Sequence, residues 1–198
     1  MRKEIRIAGF GGQGIALAGF ILGKALALYD DLEAVMTQSY GPEARGGASS
    51  TNVVASDRQI AYPFVQNADV LVAMSQEAYT KFRPTVRPDA MILIDEELVN
   101  PQDDDHPYRI PATRLAEEMG RRIIANVVML GFFTAVTEIV TREAMEKAIE
   151  TSVPAKAVDL NKKAFSIGFE YFRPNPPRPP SLGGKGGHRG ERSKGGTS

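Results

Sequence analysis

Apolar positions in this chain fall into two alternating kinds of block, short runs with a period of two and longer runs at helical spacing, separated by glycine- and proline-containing breaks. Ile5 and Ile7 flank Arg6 and lead through Ala8 to Gly9, the pattern of a strand entering a sheet. Ile15, Leu17, Ala18, Ile21, Leu22, Ala25, Leu26 and Leu28 then recur at the spacing of one helix ending near Tyr29. A second strand is predicted over residues 33–38, running out through Thr37-Gln38-Ser39, and a third begins at Thr51 with Val53 and Val54. Residues 68–74 read as a buried strand, a short helix follows to Phe82, and residues 90–94 read as another buried strand closing on Asp95. Residues 100–107, with Asp103-Asp104-Asp105-His106, read as a solvated loop, because three consecutive acids do not converge on one ion. Four helices complete the pattern: 110–119 through Pro111, 126 to about 140, one capped by Thr141 and ending near Ser152, and an amphipathic one from Pro154 to about Phe172. Residues 121–124 read as a short strand or a lead-in. Strands alternating with helices predict an α/β fold, a Rossmann-like open and mostly parallel sheet with flanking helices and further helices toward the carboxyl end.

The break between the first strand and the first helix is Gly9-Phe10-Gly11-Gly12-Gln13-Gly14, in which Gly9, Gly11 and Gly14 keep the spacing G-x-G-x-x-G. A helix starting there aims its free N–H groups and positive dipole end into the turn, so Gly11, Gly12, Gln13 and Gly14 are candidate anion contacts. Equally, the glycines serve tight packing of helix on strand. A dinucleotide site would place an acid at the end of the second strand to hold a ribose, but the only acid of that strand, Glu33, stands at its start. The first helix carries Lys24 as its single charge, with Gly19 and Gly23 four apart. Such a helix is expected to be covered widely, by the sheet and by a second surface such as another subunit.

A second glycine-containing loop follows the second strand: Ser39, Tyr40, Gly41, Pro42, Glu43, Ala44, Arg45, Gly46 and Gly47, leading to Ala48. In an open α/β sheet a loop at a strand's carboxyl end faces the same crevice as the glycine turn. Arg45, beside two residues without side chains, suits bidentate pairing with a phosphate or carboxylate, or an ordinary surface pair with Glu43.

Charge is balanced at 24 basic and 24 acidic residues, but unevenly placed. Residues 173–198 hold six basic residues against Glu191, and setting them aside leaves 18 basic and 23 acidic, a mildly acidic body that argues against nucleic acid as a partner. That segment, with five prolines and seven glycines, is expected to be a disordered tail, which makes residues 1–172 the folded domain. The absence of cysteine excludes thiolate zinc sites, disulfides and cysteine-ligated iron–sulfur clusters on this chain. Arg2, Lys3 and Glu4 do not open a signal peptide, and the most apolar segment, 123–140, carries Asn126 and Glu138; a soluble cytoplasmic protein without membrane contact is expected.

Three blocks together carry a family resemblance: Gly9-Phe10-Gly11-Gly12-Gln13-Gly14-Ile15, the stretch from Ser39 to Gly47, and Asn126-Val127-Val128-Met129-Leu130-Gly131. The chain resembles the gamma subunit of 2-oxoacid:ferredoxin oxidoreductases over roughly residues 3–172. The resemblance implies a multi-subunit enzyme that decarboxylates a 2-oxoacid, 2-oxoglutarate being favoured, on thiamine diphosphate, passes electrons through iron–sulfur clusters to ferredoxin, and delivers the acyl group to coenzyme A. It further implies that thiamine diphosphate, magnesium and the clusters belong to alpha, beta and possibly delta partner subunits, with no cofactor held by this chain alone. The residues it points to on the coenzyme A side are Gly11, Gly12, Gln13, Gly14, Ser39, Tyr40, Gly41, Pro42, Glu43, Arg45, Gly46 and Gly47, as contacts for its phosphates or for the subunit that closes over them. No catalytic residue and no metal ligand is implied on this chain. The other reading is a free-standing nucleotide-binding or regulatory module.

Overall fold

A computed structural model describes residues 1–39 and 48–172. Its centre is one six-stranded sheet in the order β2-β3-β1-β4-β5-β6. The strands are β1 (Arg2–Phe10), β2 (Glu33–Ser39), β3 (Ala48–Ser56), β4 (Ala68–Ala73), β5 (Val86–Asp95) and β6 (Tyr108–Ile110). β1 pairs in parallel with β4, β4 with β5 and β5 with β6, whereas β3 lies antiparallel between β1 and β2. Five strands therefore run one way and β3 alone runs back, as expected for a mostly parallel α/β sheet.

The helices are α1 (Ile15–Tyr29), α2 (Gln76–Phe82), α3 (Ala112–Glu118), α4 (Ala125–Thr137), α5 (Arg142–Glu150) and α6 (Val158–Tyr171). Ile5 and Ile7 of β1, Val70 and Val72 of β4 and Leu93 of β5 point to one face, where they pack with α1 and with α3 to α6 in the main core. Leu71, Ala73 and Ile94 point to the other, where α2 supplies Tyr79. That alternation is the period of two that marked these strands in the sequence. α1 sits so close to β3 that a Cβ on Gly19 would come within 2.8 Å of Thr51 Cβ, so this glycine serves sheet packing.

α4 and α6 approach even more closely. A Cβ on Gly131 would meet Phe169 N at 2.8 Å, and one on Gly168 would meet the carbonyl carbon of Val128 at 2.8 Å. The two backbones thus touch through paired glycines, and α4 is buried along almost all of its length, from Ala125 to Thr134. α5 opens as expected, with Thr141 Oγ1 accepting from Ala144 N at 3.2 Å.

Two expectations are corrected and one choice is decided. Residues 110–119 are not one helix: Tyr108–Ile110 adds a sheet strand beside β5, and α3 begins only after Pro111. Of the two readings of residues 121–124 the lead-in holds, since residues 122–124 form a 3₁₀ turn that runs into α4. The acidic loop is not wholly solvated, because Asp105 is pulled in by Arg83, whose Nη2 donates to it at 2.6 Å, and by the Tyr79 hydroxyl, which also donates to it. A run of like charges disguised this, since of the three acids it is Asp105 that Arg83 and Tyr79 hold.

Candidate functional site at the carboxyl edge of the sheet

The carboxyl ends of β1, β4 and β5 lie together, as parallel pairing requires. Pairing of Phe10 with Ala48 and of Ser39 with Ser50 puts both ends of the 40–47 connection at the same edge. The two glycine-containing loops therefore spring from one place, as read from the sequence. Tyr40, Gly41, Pro42, Glu43, Ala44, Arg45, Gly46 and Gly47 themselves lie outside the described residues.

The glycine turn is built by its own side chain. Gln13 Oε1 accepts from Phe10 N at 2.6 Å and Gln13 Nε2 donates to Met74 O at 2.9 Å, while Gln13 N donates back to Phe10 O at 3.2 Å. The carboxamide lies over Gly9, where a Cβ would collide with it and with Ile15 Cδ1 at 2.8 Å. Gln13 thus acts here on the turn itself and ties it to the end of β4. Gly12 (φ 93°) and Gly14 (φ 71°) occupy the left-handed region, which lets the chain reverse and enter α1 within four residues. Gly14 caps α1 without a side-chain hydrogen bond. Gly11 is exposed, and among the described residues a Cβ there would meet nothing within 4 Å.

Asn126 was read only as part of a motif, yet it joins that motif to the turn. It is buried at 3% exposure, donates from Nδ2 to Gly14 O at 3.0 Å and accepts from Val127 N at 2.9 Å. At the end of β5, the fully buried Asp95 accepts from Thr113 Oγ1 at 2.6 Å and from Thr113 N at 2.9 Å. Its charge thereby caps α3. Thr113, Gly12, Gln13, Arg122 and Ile123 line a cleft of about 270 Å³ beside the turn. A second, more apolar cleft of about 250 Å³ lies on the other side of Ile123 and includes Gly14, Leu17, Arg121 and Asn126. Arg122 pairs with Glu117 at 3.3 Å, but both side chains are more than half exposed, so the guanidinium is held weakly.

Sequence reasoning missed Asp95, Thr113, Asn126, Arg121 and Arg122 as parts of this edge. Two left a signal: Asp95 is the charge that ends a buried strand, and Asn126 is a lone amide opening an apolar helix. Away from the edge, burial lowers the affinity of the Arg6 guanidinium for its proton, with Glu4 acting in the opposite sense. Arg6 is held by Asn52 Oδ1 at 2.8 Å and Val65 O at 3.1 Å, with Phe82 beneath it at 5.0 Å.

The model of the family described as pyruvate ferredoxin/flavodoxin oxidoreductase matches residues 4–171. The chain belongs to this family. It is 55% identical over 178 residues to the 2-oxoglutarate synthase subunit KorC of Methanocaldococcus jannaschii, covering 87% of this chain and 95% of that one. Identity to the KorC subunit of Methanothermobacter marburgensis is 49% over 181 residues, 87% of this chain and 97% of that one. Among solved structures, the gamma subunit of a keto/oxoacid ferredoxin oxidoreductase from Geobacter sulfurreducens superposes with a TM-score of 0.78 at 41% identity, covering 86% of this chain and 95% of that one. The 2-oxoglutarate:ferredoxin oxidoreductase of Magnetococcus marinus, with 2-oxoglutarate, coenzyme A and succinyl-CoA bound, superposes with a TM-score of 0.74 at 25% identity, over 89% of this chain and 32% of that one.

As a member of the pyruvate ferredoxin/flavodoxin oxidoreductase family, the chain is a subunit of a 2-oxoacid:ferredoxin oxidoreductase, which implies other subunits. With no cysteine, its residues do not fit an iron–sulfur cluster. Among the described residues no three His, Asp or Glu side chains gather as a metal site. Among the described residues, too, no helix is long and apolar enough to cross a membrane.

Proposed function

We propose that this chain is the gamma component of a 2-oxoglutarate:ferredoxin oxidoreductase and that its glycine turn, with the 39–47 segment, faces the coenzyme A that accepts the acyl group. The observation that carries the choice of 2-oxoacid is near-full-length identity of 49–55% to subunits named 2-oxoglutarate synthase subunit KorC. Two features support the coenzyme A side. The Phe10–Ala48 register brings both glycine loops to one edge, and a structural relative has coenzyme A bound. The alpha, beta and delta-type partner subunits hold thiamine diphosphate, magnesium and the clusters, and ferredoxin takes the electrons there.

When bound on its partners, thiamine diphosphate supplies the decarboxylation. What this chain supplies is position. The Gln13 amide fixes the turn, Gly11 leaves its face open, and the first N–H groups of α1 favour a phosphate oxygen there. Arg45 adds a charge-assisted contact.

The test is steady-state kinetics on the reconstituted complex, varying coenzyme A and 2-oxoglutarate separately. Arg45→Ala removes a contact typically worth about 1.5–3 kcal/mol, so the apparent affinity for coenzyme A falls roughly ten- to a hundredfold. Gly11→Val sets its Cβ in open space among the described residues, at a position without a positive φ, and acts in the same direction. Gly12 is the poorer probe, since its positive φ strains any replacement. An unchanged coenzyme A response in both variants refutes the reading, and loss of assembly instead assigns the loops to the subunit interface.

A further inference from the structure

We propose, resting on the coenzyme A reading above, that the apolar cleft beside Gly14 holds the ligand's amide-bearing aliphatic arm, with Asn161 Oδ1 as the acceptor for one of its amide N–H groups. The cleft is walled by Leu17, Ile123, Ile124, Val153, Pro154 and Leu160, and begins at the glycine turn itself. Arg121 and the amides of Asn126 and Asn161 also line it, but the rest of the wall is hydrocarbon, so a ribose or a phosphate filling the cleft would face mostly apolar surface. An extended chain of methylenes is a good one.

Asn161 supplies the polar complement. It is 6% exposed, and its amide nitrogen is committed to Ala157 O at 2.8 Å. Among the described residues nothing donates to its Oδ1, and Ser152 Oγ is the one fully enclosed side-chain polar atom left without a partner. Oδ1 of Asn161, a residue that lines the cleft, is therefore not fully enclosed. With one N–H engaged, the carboxamide keeps its oxygen as an acceptor and its second N–H as a donor, which suits a ligand that carries both a donor and an acceptor on an otherwise aliphatic frame. A secondary amide within an alkyl chain meets both demands, and the pantetheine arm of coenzyme A carries two.

The placement divides the ligand. Phosphates face the turn at Gly11, and the arm runs past Gly14 along the hydrocarbon wall. Ile123, 55% exposed, stands between this cleft and the one lined by Thr113 and Arg122. An isoleucine so exposed at the mouth of both is covered once an arm lies against it.

The experiment uses the reconstituted complex with 2-oxoglutarate and two acyl acceptors, coenzyme A and pantetheine, the latter lacking the nucleotide. Asn161→Leu keeps the volume and removes the acceptor, and Ala157→Phe fills the cleft while leaving Asn161 and the backbone carbonyl in place. Both are expected to raise KM about tenfold for coenzyme A and by a similar factor for pantetheine, with kcat and the KM for 2-oxoglutarate unmoved. Gly11→Val is expected to raise KM for coenzyme A alone. If Gly11→Val acts on coenzyme A while Asn161→Leu and Ala157→Phe leave both acceptors unchanged, the arm lies elsewhere and only this inference is overturned. If none of the three, nor Arg45→Ala, alters coenzyme A kinetics, the coenzyme A reading fails with it. Loss of assembly in Ala157→Phe, with the isolated chain still folded by circular dichroism, makes the cleft a subunit contact and also overturns the inference.

Discussion

The Asn126 side chain donates to the main-chain carbonyl of Gly14 at 3.0 Å, across 112 residues of sequence. Its own oxygen accepts from Val127 N at 2.9 Å, so one buried amide fixes the start of α4 against the start of α1. Replacing Asn126 with leucine strips the buried Val127 N–H of its side-chain acceptor and takes one of two donors from Gly14 O, which keeps Ala18 N at 2.9 Å. The expected cost is about 1–3 kcal/mol, the range for one buried polar group that loses its partner. Denaturant unfolding measures it, and a loss below about 1 kcal/mol would show that water replaces the amide.

Gly131 and Gly168 make a second test. A methyl group at either lands against main-chain atoms of the opposite helix, which cannot swing aside as a side chain does. Alanine at either position is expected to destabilise by about 3 kcal/mol, at the upper end of ordinary overpacking. The double variant should cost less than the sum, because the first separation of α4 from α6 relieves the second. A double-mutant cycle with additive costs contradicts that coupling.

Asp105 sets an acid dependence. The hydrogen bond from Arg83 is the main cause that lowers its proton affinity, with Tyr79 assisting, while burial opposes them. A carboxyl whose pKa is depressed on folding stabilises the protein above its unfolded value and loses that contribution as pH falls through its folded value, here below pH ~4. Asp105→Asn is expected to lower stability at neutral pH and to flatten the acid limb of a stability–pH profile. An acid limb identical to that of the parent protein would remove Asp105 from the account.

The outward side of α1 keeps Phe20 at 48% and Leu28 at 63% exposure, with Lys24 reaching over the Phe20 ring at 5.9 Å. In a subunit of a larger enzyme such a stripe is expected to be covered by a partner chain. Phe20→Glu with Leu28→Glu should leave the midpoint of unfolding within about 0.5 kcal/mol of the parent, as surface changes usually do. The same pair should weaken co-purification of the other subunits at least tenfold. Undiminished co-purification would leave the stripe outside the assembly.

We also propose that residues 173–198 contribute nothing to the folded domain. The family match ends at residue 171, and the remaining proline, glycine and scattered basic residues offer little to bury. Ending the chain after Phe172 is expected to leave the melting temperature and the complex activity unchanged. A shift of several degrees would place part of this segment against the domain.

The sequence alone determined the family and the type of every element long enough to show a period. Period-two runs at residues 5–8 and 68–74 and the helical spacing from Ile15 to Leu28 are local properties, and burying an apolar face leaves each such pattern one good solution. It also determined what this chain lacks, since no fold can supply a thiolate where there is no cysteine. Only the tertiary structure decided how the motifs meet. That β3 runs antiparallel between β1 and β2 follows from register, to which a single strand's pattern is blind. β6 is three residues long, too short for any periodicity, and exists because β5 offers an edge beside it. The partners of Gln13, Asn126 and Asp105 lie 61, 112 and 22 residues away, at Met74, Gly14 and Arg83. Hydrogen bonds at such separations depend on how helices cross the sheet, so the turn, the amide that braces it and the cleft beside it became one site only when the chain folded.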